Sequence, residues 1–224
     1  MDKLVSVGKG WRCGEIITQR TMAAHFKKHL AQLEKEQSAT GQSAFHLYVK
    51  AAEMFLHILV KGSATFKTLD TFLRAIWLEC GGHLSECTQQ NAKISFTKRL
   101  EQVLTPKMKL EHDYDFGSTT TVSIQVMGAY QLIMPEKIVL LSRNELLPIM
   151  CSSCNKQAAT SICIIHIEEG EGFYCEDCAA AHAEECEDFA DYANMPVVNS
   201  PVMGVCGYVG GTIDTERDGV YRAR

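Results

Sequence analysis

The sequence predicts an α+β fold followed by a second, smaller module. Three observations carry that reading. Apolar residues recur at helical spacing in some segments and alternate at strand spacing in others, without regular βαβ alternation. The charge balance breaks near residue 150: residues 1–150 hold 18 Lys+Arg against 14 Asp+Glu, whereas 151–191 hold one base, Lys156, against ten acids. Six of the ten cysteines fall in that acidic stretch. A hydrophobic content of 46% and a charged content of 22% are those of a globular chain, and exclude a disordered chain, a coiled coil and a collagen-like fibre.

The elements follow in order. Met22, Phe26, Leu30 and Leu33 form one apolar stripe, so Thr21–Gln37 is predicted helical, with Gly41 as the stop. His25 and His29 stand at i, i+4 on that helix. They are read as solvated surface, because a metal pair would need a third ligand nearby. Phe45–Val60 is rich in apolar residues; its later half is predicted to be a strand, closed by Lys61-Gly62-Ser63. Thr68 is placed to cap a helix whose apolar face is Leu69, Phe72, Leu73, Ile76 and Trp77, ended by Cys80-Gly81-Gly82. This order is similar to the start of a β-grasp or a related α+β sheet. Ile94–Phe96 is predicted to be a short strand and Lys98–Leu104 a connecting segment. Val122, Ile124 and Val126 alternate with Ser123 and Gln125 as a half-buried strand, and Ile138–Leu141 is the last strand of the sheet.

Membrane and secretory classes are not indicated. The longest nearly apolar run, Gln131–Leu141, is broken by Pro135, Glu136 and Lys137, where a span needs roughly 20 apolar residues. Met1–Ser6 lacks a signal-peptide core, so a cytoplasmic location is expected. In that reducing compartment, ten cysteines point to metal binding rather than disulfides.

From Cys151 the spacing is Cys151-x2-Cys154-x8-Cys163-x2-His166-x8-Cys175-x2-Cys178-x3-His182-x3-Cys186. Zinc takes four N/S ligands tetrahedrally, so eight ligands in four pairs predict two zinc ions. Glu176–Ala193 is alanine-rich and predicted helical, which puts His182 and Cys186 on one face. Cys178 falls at the helix start, where the dipole favours its thiolate. A cross-braced pairing is therefore expected. Cys151, Cys154, Cys175 and Cys178 would hold one ion, and Cys163, His166, His182 and Cys186 the other. The alternative is sequential, beginning with Cys151, Cys154, Cys163 and His166. Four-ligand sites leave no place for water and are structural. Cys13, Cys80, Cys87 and Cys206 lack paired spacing and are read as ordinary small hydrophobes.

With one lysine and ten acids, the cysteine-rich module is unsuited to phosphate and suited to protein contact. A weaker candidate lies upstream: Cys80-x2-His83-x3-Cys87 with His112 or Asp115 is a possible metal set, and His83 or Asp115 a possible general base. The favoured reading is structural, with His83 hydrogen-bonded after a helix end and Asp115 capping a turn whose Gly117 supplies the positive φ. Lys98, Arg99, Lys107 and Lys109 would have to form a basic face for nucleic-acid binding. No phosphate-loop, dinucleotide or nucleophile-elbow motif occurs.

The run Phe66–Ser85, the segment Tyr114–Thr120 and the tail Pro196–Pro201 with Gly204–Tyr208 carry a resemblance. They resemble the family named after the third open reading frame of an Agrobacterium Ri plasmid, whose members are often described as passenger proteins of transposable elements. The resemblance spans about residues 45–210. It implies a compact α+β domain and a prokaryotic or mobile-element origin, and no defined activity. Departures occur at Gly81, where members often carry Cys, at Cys87, where they carry an aromatic residue, and at His166, where Cys is usual. The zinc array is similar in spacing to B-box and MYND-type cross-braced modules, which make protein–protein contacts.

The reading that results is an N-terminal helix, a mixed α/β sheet domain and a small cross-braced zinc module. Its expected boundaries are 1–44 for a helical extension, 45–147 for the sheet domain, 148–195 for the two-zinc module and 196–224 for a tail packing partly on the sheet domain. The expected function is protein interaction with structural zinc. The alternatives are a metal-dependent enzyme around His83, His112 and Asp115, and a nucleic-acid-associated factor.

Overall fold

The computed structural model describes residues 6–37, 41–167 and 170–213. The chain divides into two compact units, Met1–Ala75 with His83–Glu145, and Ile76–Gly82 with Leu146–Arg224. The class is α+β, as the mixed periodicities require. Among the described residues no helix is long and apolar enough to cross a membrane. Most of the expected tail's end, residues 214–224, lies outside the described residues.

In the first unit a short hairpin, β1 (Val7–Lys9) and β2 (Ile16–Thr18), leads into helix α1 (Gln19–Gln37). Then come β3 (Gln42–Ala51), β4 (Met54–Lys61), helix α2 (Phe66–Leu73), β5 (Ser85–Gln89), β6 (Ala92–Lys93), β7 (Lys109–Tyr114), β8 (Thr120–Leu132) and β9 (Ile138–Arg143). Seven of these strands form one sheet in the order β6-β5-β7-β8-β3-β4-β9. Every neighbouring pair in it is antiparallel. The stripe on α1 does what its spacing implies: Met22, Phe26 and Leu30 are buried in one cluster with Phe55, Leu59, Leu132 and Leu141. Each large side chain so buried stabilises by about 1.5–3 kcal/mol. On β8, Val122, Ile124 and Val126 are buried and Ser123 is exposed, as the alternation predicts.

Two local expectations are corrected and one is extended. The later half of Phe45–Val60 is a strand as expected, and the earlier half is one too, the two forming hairpin β3–β4, turned at Ala52-Glu53 with Ala52 at φ +49°. An Ala-Glu pair carries none of the Asn-Gly chemistry that signals such a turn. The helix cap is Thr65, not Thr68: its Oγ1 accepts from the Thr68 N–H at 3.2 Å. Ile94–Phe96 is not a strand. β6 ends at Lys93, after a two-residue turn at Gln90-Asn91 in which both residues have positive φ.

The second unit is built on shorter pieces. β10 (Ser161–Cys163) is flanked antiparallel by β11 (Phe173–Tyr174) and β12 (Asn194–Pro196). Helix α3 (Glu176–Glu185) is followed by a single π-helical turn, Phe189–Ala193. The helix predicted to run to Ala193 is thus interrupted, because Cys186 adopts an extended backbone at φ −120°, ψ 101°. The apolar clusters here are small: Cys163, Tyr174, Phe189 and Ala193 in one, and Ala159, Ile162 and Val197 in another. Ser200, buried, donates its hydroxyl to the Trp77 carbonyl at 2.6 Å and accepts from the Val202 N–H.

Candidate metal centres

The second unit gathers the eight predicted ligands into two sets. Cys151, Cys154, Cys175 and Cys178 offer ligand atoms that all lie within 4.8 Å of one another, and Cys163, His166, His182 and Cys186 do the same. The pairs interleave along the chain, first with third and second with fourth, so the sequential pairing is not the one adopted. Helix α3 supplies half of each set. Cys175 is its N-cap residue and Cys178 lies in its first turn; His182 lies in its last turn and Cys186 is its C-cap residue.

The first set is fixed by backbone bonds. The Cys151 N–H reaches Gln157 O at 2.9 Å, and the Ser152 N–H reaches Phe173 O at 2.7 Å, tying the Cys-x2-Cys turn to β11. The turn then aims amides at sulfur. N–H groups of Lys156 and Gln157 hold the Cys154 thiol below its ordinary range. At Cys151 burial pushes the thiol up, but the N–H groups of Cys154, Cys175 and Ser153 outweigh it and bring the value to about 6. Such donors stabilise thiolate, the form that binds metal. At Cys178 the hydrogen bond with Cys175 first, then burial and the other two thiols, push the thiol up to about 12, against a bond from Ser153 that lowers it. Four adjacent thiols cannot all ionise without a cation among them.

The second set shows the same turn with a histidine as its second member. Cys163 Sγ lies 3.1 Å from His166 Nδ1. Burial raises the Cys163 thiol, against N–H groups of Ile165 and His166 that lower it. The His182 ring stacks on Tyr174 at 4.3 Å and lies edge-on to Phe189 at 4.9 Å. Its Nε2 is buried and has no hydrogen-bond partner among the described residues, an orphan that a metal would satisfy. Both sets therefore fit a metal ion by donor chemistry, proximity and preorganisation. Cys206 belongs to neither.

The upstream candidates do not all assemble into one site. Cys87 sits on β5 opposite His112, buried, its thiol pushed up to about 12 chiefly by that burial. Cys87 joins no metal-binding cluster among the described residues. His83 Nδ1 lies 3.6 Å from Asp115 Oδ1, which accepts from the Gly117 N–H at 3.0 Å. The cap is as expected, but the positive φ of +60° belongs to Asp115 itself rather than to Gly117. His112 is turned elsewhere, with Nε2 3.0 Å from Asp70 Oδ1.

Sequence reasoning missed Asp70. It is buried, and it also accepts from Ser85 Oγ at 2.5 Å and Lys67 Nζ at 2.8 Å. Burial works against its charge, but the bonds from His112, Lys67 and Ser85 hold the carboxyl well below the usual range. A lone Asp between Leu69 and Leu73 on an apolar helix face was the available signal. A second omission is the buried pair His46 and His57, with Nε2 and Nδ1 2.8 Å apart, each beside a β-bulge.

No family model matches the chain, and no curated protein matches it. One solved structure with a matching region is the protein of unknown function MM3350 from Methanosarcina mazei Go1. It is 18% identical, and the match covers 46% of this chain and 68% of that one with a TM-score of 0.40.

Proposed function

We propose that the second unit is a two-zinc module whose ions are structural, and that the protein works by binding a protein partner through it. The observation that carries this reading is the pair of complete four-donor sets, each taking half its donors from one short helix and its caps. A zinc held by four protein ligands has no position for a reacting water, which separates structural from catalytic sites. The partner surface is the groove between α3 and the following π-turn, with a volume of about 370 Å³. It is lined by Ala179, Ala180, Ala183, Phe189 and Ala190, and by Tyr192, which is exposed. Asp191 lines it as well, and Glu184, Glu187 and Asp188, all exposed, are its neighbours in sequence. Small residues admit a partner's side chain, and the acids select a basic segment. The resemblance to a mobile-element family is compatible with this role and assigns no other.

Two measurements test the reading. Elemental analysis of the purified chain should give two zinc ions from these sets, and one fewer in a Cys163→Ser, His182→Ala double variant, since both changes strike one set. Peptide selection on the zinc-loaded protein should enrich sequences with a bulky apolar anchor flanked by Lys or Arg. Binding should vanish in Ala183→Glu with zinc content unchanged. Selection without that signature, or binding that survives the substitution, defeats the partner assignment.

A further inference from the structure

The first unit holds another cluster of metal-ligating side chains, remote in sequence from the zinc array. Gly10–Glu15 joins β1 to β2 and carries Cys13 and Glu15; the first turns of α1 carry His25. Cys13 Sγ lies 3.4 Å from His25 Nε2, and Glu15 Oε2 lies 4.0 Å from His25 Nδ1. One ligand atom from each of the three lies within 4.8 Å of the others. Cys13 and Glu15 are the further ligands whose absence from the local sequence made His25 read as plain surface.

The loop is held in place by its own backbone. Gly10 N–H donates to Glu15 O at 3.0 Å, Gly14 N–H to Gly10 O at 2.9 Å, and Trp11 N–H to Leu141 O on β9 at 2.8 Å. Gly14 takes φ +65°, a conformation that favours glycine. Gly10 matters for space. A Cβ there would stand 2.6 Å from Cys13 Sγ and 3.5 Å from His25 Nε2, so the missing side chain is what lets sulfur and imidazole meet. Beside the donors is a cavity of about 30 Å³, walled by Cys13, His25, His29, Trp11 and Leu33. That is room for about one water-sized ligand.

We propose that Cys13, Glu15 and His25 form a metal site for a borderline divalent cation of the Zn²⁺ class, with one coordination position open to the adjoining cavity. One thiolate, one imidazole and one carboxylate make a mixed S/N/O donor set that suits Zn²⁺ and Co²⁺ and disfavours Ca²⁺ or Mg²⁺. Three protein donors and a water are the arrangement of reactive zinc sites, in contrast to the closed sets of the second unit. The site stands independently of the function proposed above.

The test uses the full chain, dialysed against buffered Zn²⁺ and analysed for metal per chain. Cys13→Ser, isosteric and at an exposed position, should contain one ion fewer than the unmodified chain with an unchanged circular-dichroism spectrum. Glu15→Gln should weaken binding of that ion by about tenfold or more. As a second readout, Co²⁺ added to the zinc-loaded chain should give a thiolate-to-cobalt charge-transfer band that Cys13→Ser abolishes. The difference between chain and variant is read whatever the array contains, so failure of this site and failure of the two-zinc module are distinguishable. Equal metal content in chain and Cys13→Ser, or a cobalt band that survives the substitution, overturns the proposal.

Discussion

The two units of this chain solve the problem of stability by different means. In the first, five of the sheet's seven strands run six to thirteen residues, and β4 is buried along nearly its whole length. Its core contains Phe26, Phe55, Leu59 and Leu132, all at or below 5% exposure. In the second, the strands are two or three residues long, and α3 has no buried residue at all. The second unit's two apolar clusters are small, built on Tyr174, Phe189, Ile162, Val197 and two alanines, while Ile76, Trp77 and Leu78 of the same unit are buried as well. A small core of that kind yields little, and small domains commonly add a metal or disulfides. Both ends of α3 belong to candidate ligand sets. The comparison teaches that one chain can rest one unit on long buried strands and gather most of its cysteines in the other.

The largest effect should come from removing metal. A strong chelator at neutral pH should unfold the strands β10–β12 and α3 while the sheet of the first unit persists. In finger peptides a structural zinc contributes about 10–16 kcal/mol, far more than the small core could replace. Hydrogen exchange reads both units at once. Amides of Ile162 and Cys163 should lose protection, and those of Leu47 and Val126 should keep it. Loss of both together would erase the comparison.

The complementary change is made in the first unit. Phe55→Ala removes a fully buried ring from the cluster under α1 and should cost about 3–5 kcal/mol. Denaturant unfolding followed by hydrogen exchange should show the loss in the sheet, with zinc content unaltered.

How much of this was legible beforehand differs between the units for the same reason. Metal spacing is a local signal, so the eight array residues and the interleaved pairing could be read from Cys151 to Cys186 directly. The helix α1 and the strand β8 were readable because each has one buried face and a clean period. The centre of the sheet was not. On β3, Phe45, His46 and Leu47 are buried in succession, and a strand buried on both faces shows no alternation. The polar contacts were illegible for another reason. Asp70 meets His112 across 42 residues, and Cys13 meets His25 from a loop, so no spacing rule connects them.

A pH titration should sharpen the contrast at intermediate size. His46 and His57 are fully buried, and among the described residues His46 Nδ1 and His57 Nε2 have no hydrogen-bond partner. Burial lowers His46 to about 4, and burial together with its neighbour holds His57 well below the ordinary value of 6.5. The folded state therefore keeps both rings neutral, while the unfolded chain takes up protons from about pH 6.5 downward. The stabilisation is full above 6.5 and is lost as pH falls, the His46 part levelling off below about 4. The slope is about 1.4 kcal/mol per pH unit for each ring over that window. His46→Phe should flatten part of the slope in urea-unfolding curves of the first unit. An unchanged slope would show that the pair is not what titrates.

The smallest effect compares the two helices at the same position. α2 begins at Thr65, whose side chain accepts the Thr68 N–H. α3 begins at Cys175, which makes no side-chain capping bond and offers its sulfur to the first ligand set instead. A hydroxyl cap is worth about 1 kcal/mol, so Thr65→Ala should lower the stability of the first unit by that amount and leave metal content alone. Cys175→Ser replaces sulfur by a good capping oxygen. If capping were what starts α3, the serine variant would be as stable as the parent or more so. If coordination starts it, Cys175→Ser should cost several times the Thr65→Ala loss and release an ion, despite the better cap. Thermal melts of the two variants, with zinc measured on each, decide between a helix started by a hydrogen bond and one started by a metal.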